Sequence, residues 1–127
     1  MRKPSTTALR RIGKLQDGQL TIGLDLGDRS SFYCVLNSAG EVILETKVAT
    51  SPEAMKETFS KMARSRIALE TGTHSPWVSR LLSGLGHEAI VAHARNVRLI
   101  GESRRKDDRL DAQALARLAP WMPILAA

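Results

Sequence analysis

Four carboxylates offer this sequence its chemistry: Asp25, Glu70, Asp108 and Asp111. Asp25 stands in Leu20-Thr21-Ile22-Gly23-Leu24-Asp25-Leu26-Gly27-Asp28, inside an apolar run bracketed by glycines. Glu70 ends a second short apolar run, Arg66-Ile67-Ala68-Leu69-Glu70-Thr71-Gly72. Asp108 and Asp111 are three residues apart in Lys106 to Leu118, a stretch of strong helix formers; on a helix that spacing puts both on one face, with Cβ atoms about 5 to 6 Å apart. Two like charges so close repel, and a divalent cation beside them turns the repulsion into binding. Mg²⁺ takes a few carboxylates and fills its octahedron with water and phosphate oxygens. Four such groups can hold two ions about 3.5 to 4 Å apart, an arrangement that stabilises the attacking and leaving oxygens of a phosphodiester. Each acid also has a structural role open to it: Asp25 as a turn cap, Glu70 as a strand stop, Asp108 and Asp111 as complements to a helix dipole. The last is worth only a few tenths to about 1 kcal/mol per residue.

The elements that must position these acids follow from periodicity. Leu20, Ile22, Leu24 and Leu26 fall on one period-2 face and Thr21, Gly23 and Asp25 on the other, which predicts a half-buried strand with Asp25 near its C-terminal end. Gly23 and Gly27 are expected to leave room there for a metal ion or phosphate. Ser31 to Leu36 and Glu41 to Val48 read as two further antiparallel strands joined by a turn at Asn37-Ser38-Ala39-Gly40. Ser51-Pro52-Glu53 predicts a helix start, with Met55, Phe59 and Met62 as the core stripe of a helix reaching about Ala63. Arg66 to Gly72 predicts a buried parallel strand. Trp77, Val78, Leu81, Leu82 and Leu85 mark a second helix, ended by Gly84 and Gly86, and His87 to His93 a fifth strand. A short helix is expected from Ala94 to about Ser103. A terminal one spans Lys106 to Leu118, with Ala112, Leu115 and Leu118 as its apolar face, and Pro120 and Pro123 stop it.

Composition bounds the setting. A chain of 127 residues with 43% hydrophobic and 25% charged residues fits one α/β domain. Residues 1–18 are read as a loosely ordered basic lead-in, 19–119 as the domain and 120–127 as a short tail. No apolar run approaches the roughly 18 residues of a membrane span, and no secretory signal is apparent. The single cysteine, Cys34, cannot form an internal disulfide, in agreement with a cytoplasmic setting; it is expected to be a small core residue. Nineteen Lys and Arg against thirteen Asp and Glu give a net charge of +6 and an isoelectric point near 10.1, which favours a polyanionic partner, nucleic acid before membrane. The charge gathers in Arg2, Lys3, Arg10, Arg11 and Lys14 and again in Arg95, Arg98, Arg104, Arg105, Lys106 and Arg109; the second cluster is the candidate nucleic-acid surface. His74, His87 and His93 have no zinc-ligand spacing and are read as loop, cap or strand-end residues.

Three antiparallel strands, then helix, strand, helix, strand and terminal helices, is the order of a ribonuclease-H-like (RuvC-like) α/β domain with a mixed five-stranded sheet flanked by helices. Gly23-Leu24-Asp25-Leu26-Gly27, Ala68-Leu69-Glu70-Thr71-Gly72, Leu85-Gly86-His87-Glu88 and Arg105-Lys106-Asp107-Asp108-Arg109-Leu110-Asp111-Ala112 resemble the N-terminal domain of the DEDD-type insertion-sequence transposases, the group that includes bridge-RNA-guided recombinases. The resemblance runs from about Leu20 to Leu118, and its most specific part is the Lys-x-Asp-x-x-Asp-Ala block. It implies that Asp25, Glu70, Asp108 and Asp111 form a catalytic, metal-binding tetrad holding Mg²⁺ or Mn²⁺, as two ions; that DNA is the substrate; and that a guide RNA and further copies of the chain are partners in the full enzymes. Family members continue into a domain supplying a serine nucleophile, whereas Ala119-Pro120-Trp121-Met122-Pro123 does not resemble that continuation. The expectation is a half-site, truncated before the serine domain and inactive in strand exchange alone. Three other readings stay open: a stand-alone Mg²⁺-dependent junction nuclease, the phosphate-binding lobe of an actin-like ATPase or sugar kinase suggested by Gly23 to Asp28, and a catalytically silent nucleic-acid-binding remnant.

Overall fold

Alternating apolar residues in the first half of the chain and two short apolar runs in the second close into one sheet. The computed structural model describes residues 20–93 and 111–121. Strands β1 (Thr21–Asp25), β2 (Ser30–Leu36) and β3 (Val42–Ala49) are followed by helix α1 (Pro52–Ser60), strand β4 (Arg66–Glu70), helix α2 (Ser75–Gly84), strand β5 (Glu88–Ala92) and helix α3 (Ala112–Leu118), which runs into a 3-10 turn at Ala119–Trp121. The strand order is β3-β2-β1-β4-β5. β1, β2 and β3 pair antiparallel, whereas β4 joins β1, and β5 joins β4, in parallel. This is the expected mixed five-stranded α/β sheet.

Local chemistry sets the boundaries. Asn37 Oδ1 accepts the amide protons of Ala39 and Glu41, and Gly40 takes φ +82°, so the β2–β3 turn closes on an Asx motif and a left-handed glycine. Ser51 caps α1 by accepting the Ala54 amide at 3.2 Å, with Pro52 in the first turn. The helix ends at Ser60, short of the expected Ala63, yet Met62 still packs in the core beyond it. β4 and β5 are likewise shorter than read, ending at Glu70 and Ala92.

Both faces of the sheet are covered, which the alternation in β1 alone did not reveal. One face packs Leu20, Ile22, Leu24, Tyr33, Val35, Ile67 and Leu69 against Met55 and Phe59 of α1 and Val78 and Leu82 of α2. On the other face α3 lies over the sheet, with Ala112 and Ala116 against Cys34 and Leu36, and Leu115 and Ala119 against Ala68, Ile90 and Ala92. His87 is a buried structural residue: Nδ1 accepts the Ser65 amide at 3.1 Å and Nε2 donates to the Phe59 carbonyl at 2.8 Å. One ring thus ties the end of α1 to the starts of β4 and β5.

Tyr33, the chain's single tyrosine, lies edge-on to Phe59 with ring centroids 5.3 Å apart. Its buried hydroxyl has no hydrogen-bond partner among the described residues. Burial pushes its pKa up from 10.0 to about 12. The unfolded chain therefore loses this proton first, and the stability is fully present below pH 10 and lost as pH rises toward about 12. The difference corresponds to about 2 to 3 kcal/mol. Tyr33→Phe is expected to remove much of this alkaline destabilisation; denaturant titrations on the two proteins at neutral and alkaline pH, with tyrosinate absorbance as the internal marker, check it.

Candidate functional site

The site is built by register. Gly23 of β1 pairs with Cys34 of β2, which pairs with Glu45 of β3, and on the other side Gly23 pairs with Ala68 of β4. One row further toward the C-terminal end of β1, Asp25 pairs with Phe32 and Phe32 with Lys47. Glu70 lies one residue beyond the Leu24–Leu69 pair that ends the β1–β4 ladder, and so falls beside Asp25 in this same row. Because side chains on paired positions share a face, Asp25, Glu70, Phe32 and Lys47 stand on the α3 side of the sheet.

Helix α3 covers the first of these rows and not the second. Its N-cap is Asp111, whose backbone is extended at φ −80° and ψ 174° and whose side chain accepts the Ala114 amide at 2.7 Å. Asp111 is therefore not inside a helix running from Lys106, as the sequence reading expects. The Asp side chain competes well for a free helix amide, and the helix starts at Ala112. The helical i, i+3 argument for Asp108 and Asp111 fails with it. Asp108 lies outside the described residues, as do Arg95, Arg98, Arg104, Arg105, Lys106 and Arg109 and the helix expected over Ala94 to Ser103.

Where α3 begins, a cleft of about 760 Å³ opens, lined by Asp25, Phe32, Glu45, Thr46, Asp111, Ala112 and Gln113. It brings together Asp25 and Asp111, two of the four candidate acids. Glu70 is beside Asp25 in the sheet but is not part of this lining. Among the described residues no three acidic, histidine or cysteine side chains are grouped as a metal site. Glu45 is an acid that the sequence reading passed over; its signal was the Glu45-Thr46-Lys47 alternation, which places Glu45 on the face of Cys34 and Gly23 once the hairpin register is known. Burial, and next the nearby Glu45 carboxylate, push the Cys34 thiol up to about 11, and Asp111 adds to them, while Arg117 opposes. Cys34 is a buried core residue, as expected.

The two glycines flanking Asp25 do not serve the role expected of them. A Cβ at Gly23 would collide with the Ala112 carbonyl oxygen and the Ala116 amide nitrogen, so its space is filled by the α3 backbone, not by a ligand. At Gly27 a Cβ would meet the Ser30 carbonyl, and the Gly27 amide donates to Ser31 Oγ at 3.3 Å, so this glycine closes the β1–β2 turn. Asp28, in the same turn, faces His74: Nε2 of the ring is 3.2 Å from Asp28 Oδ1, while Nδ1 accepts from Trp77 Nε1 at 3.1 Å. This pins the turn after β1 to the start of α2.

No helix among the described residues is long and apolar enough to cross a membrane. None of the curated proteins matches the chain. Among solved structures, that of the ethanolamine utilization protein EutJ from Carboxydothermus hydrogenoformans is similar at 16% identity and a TM-score of 0.47, covering 76% of this chain and 46% of that one; the chain thus spans less than half of that protein's length. The family model of IS110-type DEDD transposases matches residues 22–123, taking in the segment up to Pro123 that the motif resemblance left aside. With most of its length so matched, the chain belongs to the IS110-type DEDD transposase family.

Proposed function

We propose that this domain processes DNA phosphodiesters through divalent cations held by Asp25, Glu70, Asp108 and Asp111. The observation that carries the reading is the shared cleft of Asp25 and Asp111: residues from the first strand and the last helix are brought to one concave surface by the seating of α3 on Gly23, while the β1–β4 ladder sets Glu70 beside Asp25. Carboxylate oxygens facing an open cleft suit a hard cation such as Mg²⁺ or Mn²⁺. Such ions, when bound, supply charge stabilisation for the oxygens of a phosphodiester under displacement. The chain's own part is to orient the donors. The sheet fixes Asp25 and Glu70 in adjacent strands, and the Ala114 amide holds the Asp111 carboxylate at the mouth of the cleft. The second basic cluster would meet the DNA backbone, by Coulomb attraction that weakens with salt. A guide RNA and further copies of the chain, as additional partners, rest on family membership alone.

The test is a titration of the chain with Mn²⁺, followed by electron paramagnetic resonance, alongside incubation with four-way-junction DNA in Mg²⁺. Saturable Mn²⁺ binding is the expected result. Junction cleavage by the chain itself would point to the nuclease form of this chemistry. Absence of saturable binding, or binding undiminished in an Asp25→Asn, Asp111→Asn double variant that still folds, overturns the reading.

A further inference from the structure

Beyond the acids, the cleft carries a side chain that the fold does not explain. Phe32 sits in mid-strand, paired on both sides, yet is 46% exposed. Its register neighbours are Asp25 and Lys47, neither of them apolar, and α3 stops one row short of covering it. With 46% of its surface exposed, the ring gives up roughly half of the about 1.5 to 3 kcal/mol that full burial would supply. The Lys47 ammonium lies over the ring, 5.7 Å from its centroid, so a positive charge stands beside the flat apolar surface that lines the acidic cleft.

We propose that Phe32 and Lys47 form a platform for one nucleotide of single-stranded DNA next to the cleavage site, the base stacking on the Phe32 ring and a neighbouring phosphate meeting the Lys47 ammonium. This rests on the DNA-processing reading and adds a positioning surface to it. Single-strand binders pair an aromatic face, which any base can stack on, with cations that follow the backbone. Here the two sit in one row with Asp25, so a nucleotide held there is adjacent to the acid that would carry the metal. The acids themselves repel a phosphate backbone, which is why a cation beside the ring is needed.

The test measures binding of a single-stranded DNA oligonucleotide containing a fluorescent adenine analogue, across a range of salt concentrations. Phe32→Ala is expected to weaken binding about 5- to 150-fold and to abolish the stacking quench of the analogue without altering the salt slope. Lys47→Gln is expected to lessen that slope by about 0.7, the value for one phosphate contact on a single strand. Phe32→Tyr should retain both binding and quench. Because Phe32 is exposed, its truncation opens no core cavity, and thermal melts confirm that each variant folds. Unchanged DNA affinity in Phe32→Ala overturns the proposal; so does tighter, Phe32-dependent binding of the same sequence as RNA. A concentration-dependent oligomer lost in Phe32→Ala with DNA affinity intact assigns the ring to a second copy and also overturns it. Failure of the unaltered chain to bind DNA at all is distinguishable from these, and removes the DNA reading together with the platform.

Discussion

Asp25→Asn is expected to lower Mn²⁺ affinity by about a hundredfold or more, read on the folded fraction that a thermal melt defines. The substitution keeps the shape and removes one negative charge and one anionic ligand. Oxygen-ligand sites for divalent cations span several powers of ten in affinity largely through such changes in charge count and ligand geometry. Asp25 is the half-buried last residue of β1, and the ladder to Phe32 is made by backbone atoms that asparagine retains. If the same site acts on DNA, the associated rate falls about a thousandfold, since metal stabilisation of the reacting oxygens is worth several kcal/mol and each 1.36 kcal/mol is a power of ten. Two companions sharpen the result. Asp28→Asn removes an acid of the following turn, which faces His74 and does not line the cleft, and should leave Mn²⁺ affinity unchanged. Glu45→Gln alters the cleft wall without touching the proposed ligand set. Should it cost as much as Asp25→Asn, the ligand set would have to be redrawn around Glu45 in place of Glu70.

The division between what could be read in advance and what could not follows the range of the interactions. The β1 alternation, the Ser51-Pro52 helix start and the Met55 and Phe59 stripe depend on neighbours a few residues away, and these appear where expected. The parallel partnership of β1 with β4, which puts Glu70 beside Asp25, follows from the order of elements. The role of Asp111 is not legible locally, because Lys106 to Leu118 is rich in helix formers and offers Asp107, Asp108 and Asp111 as possible caps; nothing local says which of them takes the free amide. Phe32 and Glu45 could not be assigned to the cleft without the hairpin register, which the Asn37–Gly40 turn fixes, with a shift between Val35 and Leu36. Gly23 departs from expectation for a different reason. A glycine beside a carboxylate has the same signature whether it makes room for a ligand or for another part of the chain.

That second use of Gly23 yields the largest expected effect on stability. Gly23→Ala places a methyl group against the Ala112 carbonyl oxygen and the Ala116 amide, both of them backbone atoms of α3 that cannot rotate away. The entropic gain of replacing glycine, about 0.4 to 1 kcal/mol, is outweighed by overpacking of about 3 kcal/mol or more where only backbone can yield. A melting temperature lower by about 10 to 20 °C is expected for a domain of this size. Gly84→Ala is the matched control. Gly84 ends α2 with open space around its Cβ position, so alanine there should be neutral or stabilising by up to about 1 kcal/mol. The Gly23 variant also reaches the site without touching an acid. α3 sits on the sheet through Ala112, Leu115 and Ala116, and Asp111 is its cap; lifting the helix off Gly23 carries Asp111 away from Asp25. In the fraction that remains folded, Mn²⁺ affinity should therefore fall along with hydrogen-exchange protection of the α3 amides, while the β2–β3 hairpin amides stay protected. Loss of stability with the Mn²⁺ affinity of the folded fraction intact would show that Asp111 is only a helix cap, leaving Asp25, Glu70 and Asp108 to hold the cation without it.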